Sequence, residues 1–218
     1  MPGSTSGVHE ASAHPRRASR ARLLVGLALA STVVGSLAAA PAAASTTTPG
    51  SASTTTLTTT TIDKPWYSVE QFYLGLVNCT RTGGWVQSDG SCRGYGSGRF
   101  SKYVAPLTYS VGISDKVSRP YAKRLAVNNL CSHYAYGDPG YRLRKAGYTH
   151  YTWGENIGCR NGYTNVKAAV LASHIAMQHE KWANGGHWRN IKNANYRYVG
   201  IGIWRYSGRV RVVTDFYR

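Results

Sequence analysis

The chain has 218 residues and a formal net charge of +17, with 26 Lys and Arg against 9 Asp and Glu. Four of the arginines and one of the glutamates fall in the first 44 residues, so residues 45–218 keep 22 basic and 8 acidic side chains, a net of +14. Such an excess predicts attraction to polyanions (nucleic acid, anionic lipid headgroups, acidic wall polymers) without choosing among them. All 25 aromatic residues lie between Trp66 and Tyr217, which excludes a packed core upstream and leaves one domain over 66–218. A domain of that size buries roughly 68–70% of its chain surface.

Residues 1–44 read as an export signal. Arg16, Arg17, Arg20 and Arg22 make a basic n-region, Leu23 to Leu37 is an uncharged apolar run, and Ala42-Ala43-Ala44 offers a small-residue cleavage site. The run is rich in Ala, Gly, Ser and Thr, which is weak for a permanent anchor, so no membrane span is expected after cleavage. Secretion follows, and the Arg16-Arg17 pair leaves twin-arginine export open. Residues 45–65 are a Ser/Thr-rich linker with Pro49 and Gly50 and almost nothing to bury. Such a segment cannot offset its ordering entropy and stays flexible; its hydroxyls also permit O-glycosylation.

The first helix is expected from Ser68, capping the amide of Gln71, with Val69, Phe72 and Leu76 on one face and Asn78 and Arg81 at its close. Residues 82–106 are glycine-rich and read as an irregular surface excursion. Ser114 opens a second helix with Val117, Tyr121 and Leu125 in one stripe. Pro120 places its regular part from near Arg119, or kinks it there. The helix should stop between Asn129 and His133. Asp138-Pro139 is an N-cap and first-turn pair for a short helix that stops at Gly147. A third helix runs from Thr164 to about Trp182, and Gly185-Gly186 breaks it. Tyr198–Trp204 and Arg209–Tyr217 are strands joined at Tyr206-Ser207-Gly208, with Val210, Val212 and Phe216 on one face. The class is α+β, and a helix–sheet–helix sandwich if the stretch around Glu155 adds a strand.

Four cysteines in an exported chain imply disulfides. Of three possible pairings, Cys79–Cys92 and Cys131–Cys159 are favoured because each closes a local loop. By loop entropy they stabilise by roughly 3 and 3.5 kcal/mol as upper figures. A four-thiolate zinc site is the rival, but there is no C-x-x-C pair.

Only two glutamates follow residue 70, Glu155 and Glu180. With His133 and His187 they suggest one shared polar site in acid-poor sequence. Two neutral imidazoles plus water can hold a divalent ion of the zinc type, while a carboxylate orients an imidazole or a bound water. Two protein ligands imply modest affinity that falls as imidazole protonates. The alternative is a purely architectural hydrogen-bonded network.

Several blocks occur in order: Leu76-Val77-Asn78 with Arg81, Cys131-Ser132-His133, and Asp138 to Tyr148 with Arg142-Leu143 and Ala146-Gly147-Tyr148. Then come Gly154-Glu155-Asn156-Ile157, Gly186-His187-Trp188-Arg189-Asn190-Ile191 and Val199-Gly200-Ile201-Gly202. Taken together, residues 66–218 resemble the CAP superfamily of SCP-like extracellular proteins, in particular its small secreted actinobacterial members. The resemblance implies a three-layer α-β-α sandwich whose central cleft is lined by His133, Glu155, Glu180 and His187. It also implies zinc or another divalent metal on the histidine pair (His133 and His187), or a sterol or other lipid in the cleft. Glu180 departs from the family pattern, since only six residues separate it from His187.

Other signals are weaker. His179-Glu180-Lys181-Trp182-Ala183 begins like a metalloprotease helix, but its second histidine position is Ala183. His174 reads as a partly buried core residue. Ser132-His133 with Asp138 lacks the strained nucleophile turn of a serine hydrolase. Arg and Tyr interleave from Trp188 to Arg211 as on a basic edge hairpin, with no signature of a specific nucleic-acid reader. The expectation is a secreted, monomeric, non-enzymatic binding module for a small lipophilic ligand or a divalent metal. Its basic surface would face an anionic cell-envelope polymer. The alternative is a hydrolase of cell-wall or peptide substrates, using metal-bound water or Glu155 as base.

Overall fold

The computed structural model describes residues 63–218. The export signal over 1–44 and the linker up to residue 62 lie outside the described residues. Helix α1 spans Tyr67–Arg81, followed by a two-residue hairpin of β1 (Trp85–Val86) and β2 (Cys92–Arg93). Strand β3 is Thr108–Tyr109. One helical turn, α2 (Val111–Ile113), leads through a π-helical turn at Ser114–Ser118 into α3 (Arg119–Val127). Then come α4 (Pro139–Lys145), β4 (Trp153–Arg160), α5 (Val166–His179) and a 3₁₀ turn at Glu180–Ala183. Helix α6 (Gly186–Lys192) and the hairpin of β5 (Tyr198–Tyr206) and β6 (Arg209–Tyr217) complete the chain.

The main sheet has the order β3-β5-β6-β4, parallel only between β3 and β5. Alternation along the hairpin divides the core. Val199, Ile201, Ile203, Val210, Val212 and Phe216 face α1, α5 and α6 with Tyr73, Leu76, Val77, Val170 and Ile191. On the other face, Val213 and Ile157 meet Tyr121, Ala122 and Leu125 of α3, while Tyr217 meets Ile113, Val117 and Leu143. The result is α+β, with helices on both faces of a mixed sheet.

Two glycines let the second helical layer come down onto β5. A Cβ at Gly200 would strike Ile113 and Ser118, and one at Gly202 the backbone of Ser118. The hairpin turns at Ser207 and Gly208, both at positive φ (46° and 72°), as a two-residue primed turn requires.

Buried polar groups fasten the layers. Glu70 of α1 accepts from Arg119 Nε of α3 at 2.7 Å and from Tyr109 Oη at 2.7 Å, both acid and base being buried. Arg81 donates to the carbonyls of Ala105, Ile191, Asn193 and Tyr196. It thereby ties the end of α1 to the segment carrying α6. His174 is wholly buried, and burial lowers its pKa to about 3, so it is a neutral core residue with Nε2 2.8 Å from Thr80 Oγ1.

Both disulfides are the local ones, Cys79–Cys92 and Cys131–Cys159. Pro120 lies in the first turn of α3, and Asp138 accepts from Tyr141 N at 2.9 Å to cap α4. Three local expectations are corrected. Helix α1 starts at Tyr67 with no side-chain cap, so Ser68 lies inside it, and its buried stripe is Tyr73, Leu76, Val77 and Thr80. Core contact with the β5–β6 hairpin, not capping, decides its register. Asn165 rather than Thr164 caps α5, accepting from Ala168 N. The third helix closes at Asn184 in the left-handed conformation (φ 47°), and the glycine pair, expected only to break it, opens α6.

Candidate functional site

Strand β4 lies at the edge of the sheet, and its alternation sends neighbouring residues to opposite layers. Glu155 points toward the α3 and α4 side, where its carboxylate is almost fully buried. Oε1 sits 2.8 Å from His133 Nδ1, and Oε2 pairs with the Arg142 guanidinium. Arg142 also donates to the carbonyls of His133 and Gly137, so it fixes the loop that presents the ring.

Asn156 faces the other layer. Its Nδ2 donates to the His187 carbonyl at 3.1 Å, and Asn190 Nδ2 donates back to Asn156 Oδ1 at 2.8 Å and to the Glu155 carbonyl at 3.0 Å. These bonds dock α6 against β4. A Cβ at Gly154 would fall on Tyr196 and Asn190 and open that joint.

Glu180 performs for His187 what Glu155 does for His133. Its Oε1 lies 2.5 Å from His187 Nδ1, and Oε2 accepts the His187 backbone N–H at 2.9 Å. The carboxylate thus orients the ring and caps the first turn of α6, where an anion is favoured. Burial would raise the Glu180 carboxyl, but hydrogen bonds and charge from His187 outweigh it and hold it below the ordinary value. Gly185 supplies the space, since a Cβ there would overlap the Glu180 side chain.

His133, Glu155, Glu180 and His187 line one open cavity of about 360 Å³, together with Gly185, Gly186 and Asn190. Both rings are about a third exposed, at 39% and 32%. An ionised carboxylate can only accept, so Nδ1 of each ring carries a proton, and in the neutral ring Nε2 keeps its lone pair. That tautomer suits metal ligation, with the carboxylates as outer-shell supports. Two imidazoles would need water to complete the shell of a divalent ion; among the described residues there is no cluster of three or more His, Cys, Asp or Glu that could hold one.

Three residues at the site were not singled out from the sequence as site residues. Arg142 and Asn190 stood within motif blocks but had no assigned role. Asp215 drew no reading of its own from the sequence; it lies beside Glu155 on β6, which is buried on both faces. Its Oδ2 accepts from Ser118 Oγ at 2.7 Å. The signal available was an acid inside an otherwise apolar terminal strand.

No family model matches the chain, and no curated protein does. Three solved structures are similar. An extracellular protein containing an SCP domain from Bacillus anthracis str. Ames is 21% identical with a TM-score of 0.46, over 69% of this chain and 40% of that one. NaASP2 with Zn2+ is 16% identical with a TM-score of 0.46, over 69% and 79%. Hookworm platelet inhibitor is 12% identical with a TM-score of 0.41, over 70% of each chain. The chain thus spans well under half of the first of these. At such identities no function is carried across.

Proposed function

We propose that this chain is a secreted CAP/SCP-like domain whose histidine cleft binds a divalent metal or a small polar ligand without turning it over. The observation that carries the reading is the paired arrangement: each histidine is held through Nδ1 by its own glutamate, and both rings line one cavity. The lining of two histidines, two carboxylates, an amide and two glycines includes no aliphatic or large apolar side chain to grip a sterol or lipid tail, which favours the metal. His133 and His187 would hold the ion, and water would complete its shell. A bound ion would supply Lewis acidity, and Glu155 and Glu180 would keep the two rings oriented.

Binding is preferred to hydrolysis because both Glu155 oxygens are already engaged, one by His133 and one by Arg142. The side chain is also only 1% exposed, and a general base must lie within hydrogen-bond reach of the water it activates. Two disulfides support an oxidising, extracellular setting. No helix among the described residues is long and apolar enough to cross a membrane. The excess of positive charge suits an anionic envelope as the protein's surroundings.

Calorimetric titration with zinc tests the proposal. Saturable binding at one site, lost in His133→Ala and in His187→Ala, is the expected result. Binding unchanged by either substitution would refute it.

A further inference from the structure

A second cavity, of about 480 Å³ and larger than the histidine cleft, lies between α3 and α4. Four cations line it: Lys116, Arg124, Arg142 and Lys145. No carboxylate does. Arg142 is the only one of the four in an ion pair, since Lys116, Arg124 and Lys145 have no acidic partner among the described residues. A concave wall of like charges in one place is costly unless solvent or an anion offsets it.

The rest of the lining is three tyrosines, Tyr121, Tyr136 and Tyr141, with Val117, Pro120 and Ala146. The Arg142 guanidinium lies 3.5 Å from the centroid of the Tyr121 ring, and Arg124 lies 5.4 Å from that of Tyr136. Tyr136 is held at φ +64°, a region bulky side chains rarely enter. Its neighbour Gly137 (φ +96°) must lack a Cβ, because one there would overlap the Tyr141 ring. This loop therefore brings Tyr136 beside Tyr141 of α4, both exposed, at the mouth of the cavity. Backbone held in such a conformation, against a cavity, marks a positioned site rather than a passive turn.

We propose that this cavity binds a phosphorylated sugar or polyol. Arg and Lys supply charge-assisted hydrogen bonds to the phosphate oxygens. Tyr136 and Tyr141 offer ring faces to the apolar C–H surface of a sugar and hydroxyls to its polar edge. The volume suits a ligand of that size rather than a bare ion. The site is independent of any metal in the histidine cleft and touches that cleft only through Arg142, which holds Glu155 from the cavity wall.

The test is calorimetric titration of the chain with glucose 6-phosphate, glucose and inorganic phosphate at constant ionic strength, in the wild type and in Arg124→Glu, Lys145→Glu and Lys167→Glu. Lys167 is exposed on α5, away from the cavity, and serves as the charge-matched control. Glucose 6-phosphate is expected to bind more tightly than either fragment. The two cavity substitutions should weaken it about tenfold or more, and the control less than twofold. Equal losses in all three variants, or glucose 6-phosphate binding no tighter than phosphate, would overturn the proposal. In the wild type alone, ring resonances of Tyr136 and Tyr141 must shift with glucose 6-phosphate; if they stay fixed, the site is wrong whatever the variants do. Co-sedimentation with phosphatidylinositol vesicles separates the sources. Binding lost in the same two variants assigns the ligand to a lipid headgroup, and its absence beside tight sugar-phosphate binding assigns it to a soluble or polymer-borne one.

Discussion

Glu155 and Asp215 stand opposite each other across β4 and β6, two carboxylates in register on the same face of the sheet. Asp215 is wholly buried, and its Oδ1 has no hydrogen-bond partner among the described residues. Burial, reinforced by the Glu155 charge, raises the Asp215 carboxyl well above its usual range. Two such groups at close quarters do not both ionise, so one holds a proton. Arg142 pairs with Glu155, so Asp215 is the carboxyl of the two whose protonated form the surroundings favour.

The raised pKa sets a pH dependence. The folded state retains a proton that the unfolded chain has released, so this group's contribution is full below the ordinary aspartate value of about 3.9. It declines as pH rises toward the folded value, by up to about 1.4 kcal/mol per pH unit. Asn at 215 can accept from Ser118 and donate toward Glu155 at any pH. Urea unfolding of Asp215→Asn and wild type from pH 4 to 8 should show a difference that grows in the variant's favour with pH and then levels. A difference independent of pH would mean that Asp215 ionises normally.

The Glu70–Arg119 pair predicts a large, asymmetric cost. Both groups are buried and share bidentate geometry. Glu70→Ala leaves the buried guanidinium with Asp115 as its one remaining acidic partner and should destabilise by up to about 3–5 kcal/mol. Glu70→Met with Arg119→Met should cost clearly less than Glu70→Ala, because Asp115 keeps Lys64 as its partner. Denaturant midpoints at fixed m-value decide this.

Glu155→Gln keeps the side chain's shape while removing the charge that faces both His133 and Arg142. Zinc affinity should fall by roughly 10- to 100-fold, the usual effect of losing an outer-shell carboxylate. Peptide, ester and peptidoglycan substrates should show no turnover with either protein. Turnover in the wild type that Glu155→Gln abolishes would establish the hydrolase reading.

The Cys131–Cys159 bridge joins the loop before His133 to the end of β4, which carries Glu155. Replacing both cysteines by serine should lower stability by at most about 3.5 kcal/mol. It should also weaken zinc binding at temperatures where the protein stays folded, since the ring's anchor is loosened. Unfolding and titration of the same sample separate the two effects.

Much of this architecture was legible because the sequence signals were local. The Asp138-Pro139 cap, the Gly147 stop, the Pro120 position and the alternation of Val210, Val212 and Phe216 each follow from chemistry within a few residues. Long-range demands were not legible. Ser68 looks like a cap, yet burial of Tyr73 and Leu76 sets the start of α1. Gly185-Gly186 looks like a terminator, yet it makes room for Glu180 and opens α6. Asp215 escaped notice because alternation marks which face a residue takes but not whether that face is covered. Arg142 escaped because its partner stands on another element.

Long-range nitrogen–proton NMR of the histidines reads the proton positions on the two rings directly. His133 and His187 should both appear with the proton on Nδ1 and a bare Nε2, and zinc should shift both Nε2 resonances together. Rings protonated at Nε2, or only one ring responding to zinc, would contradict the account.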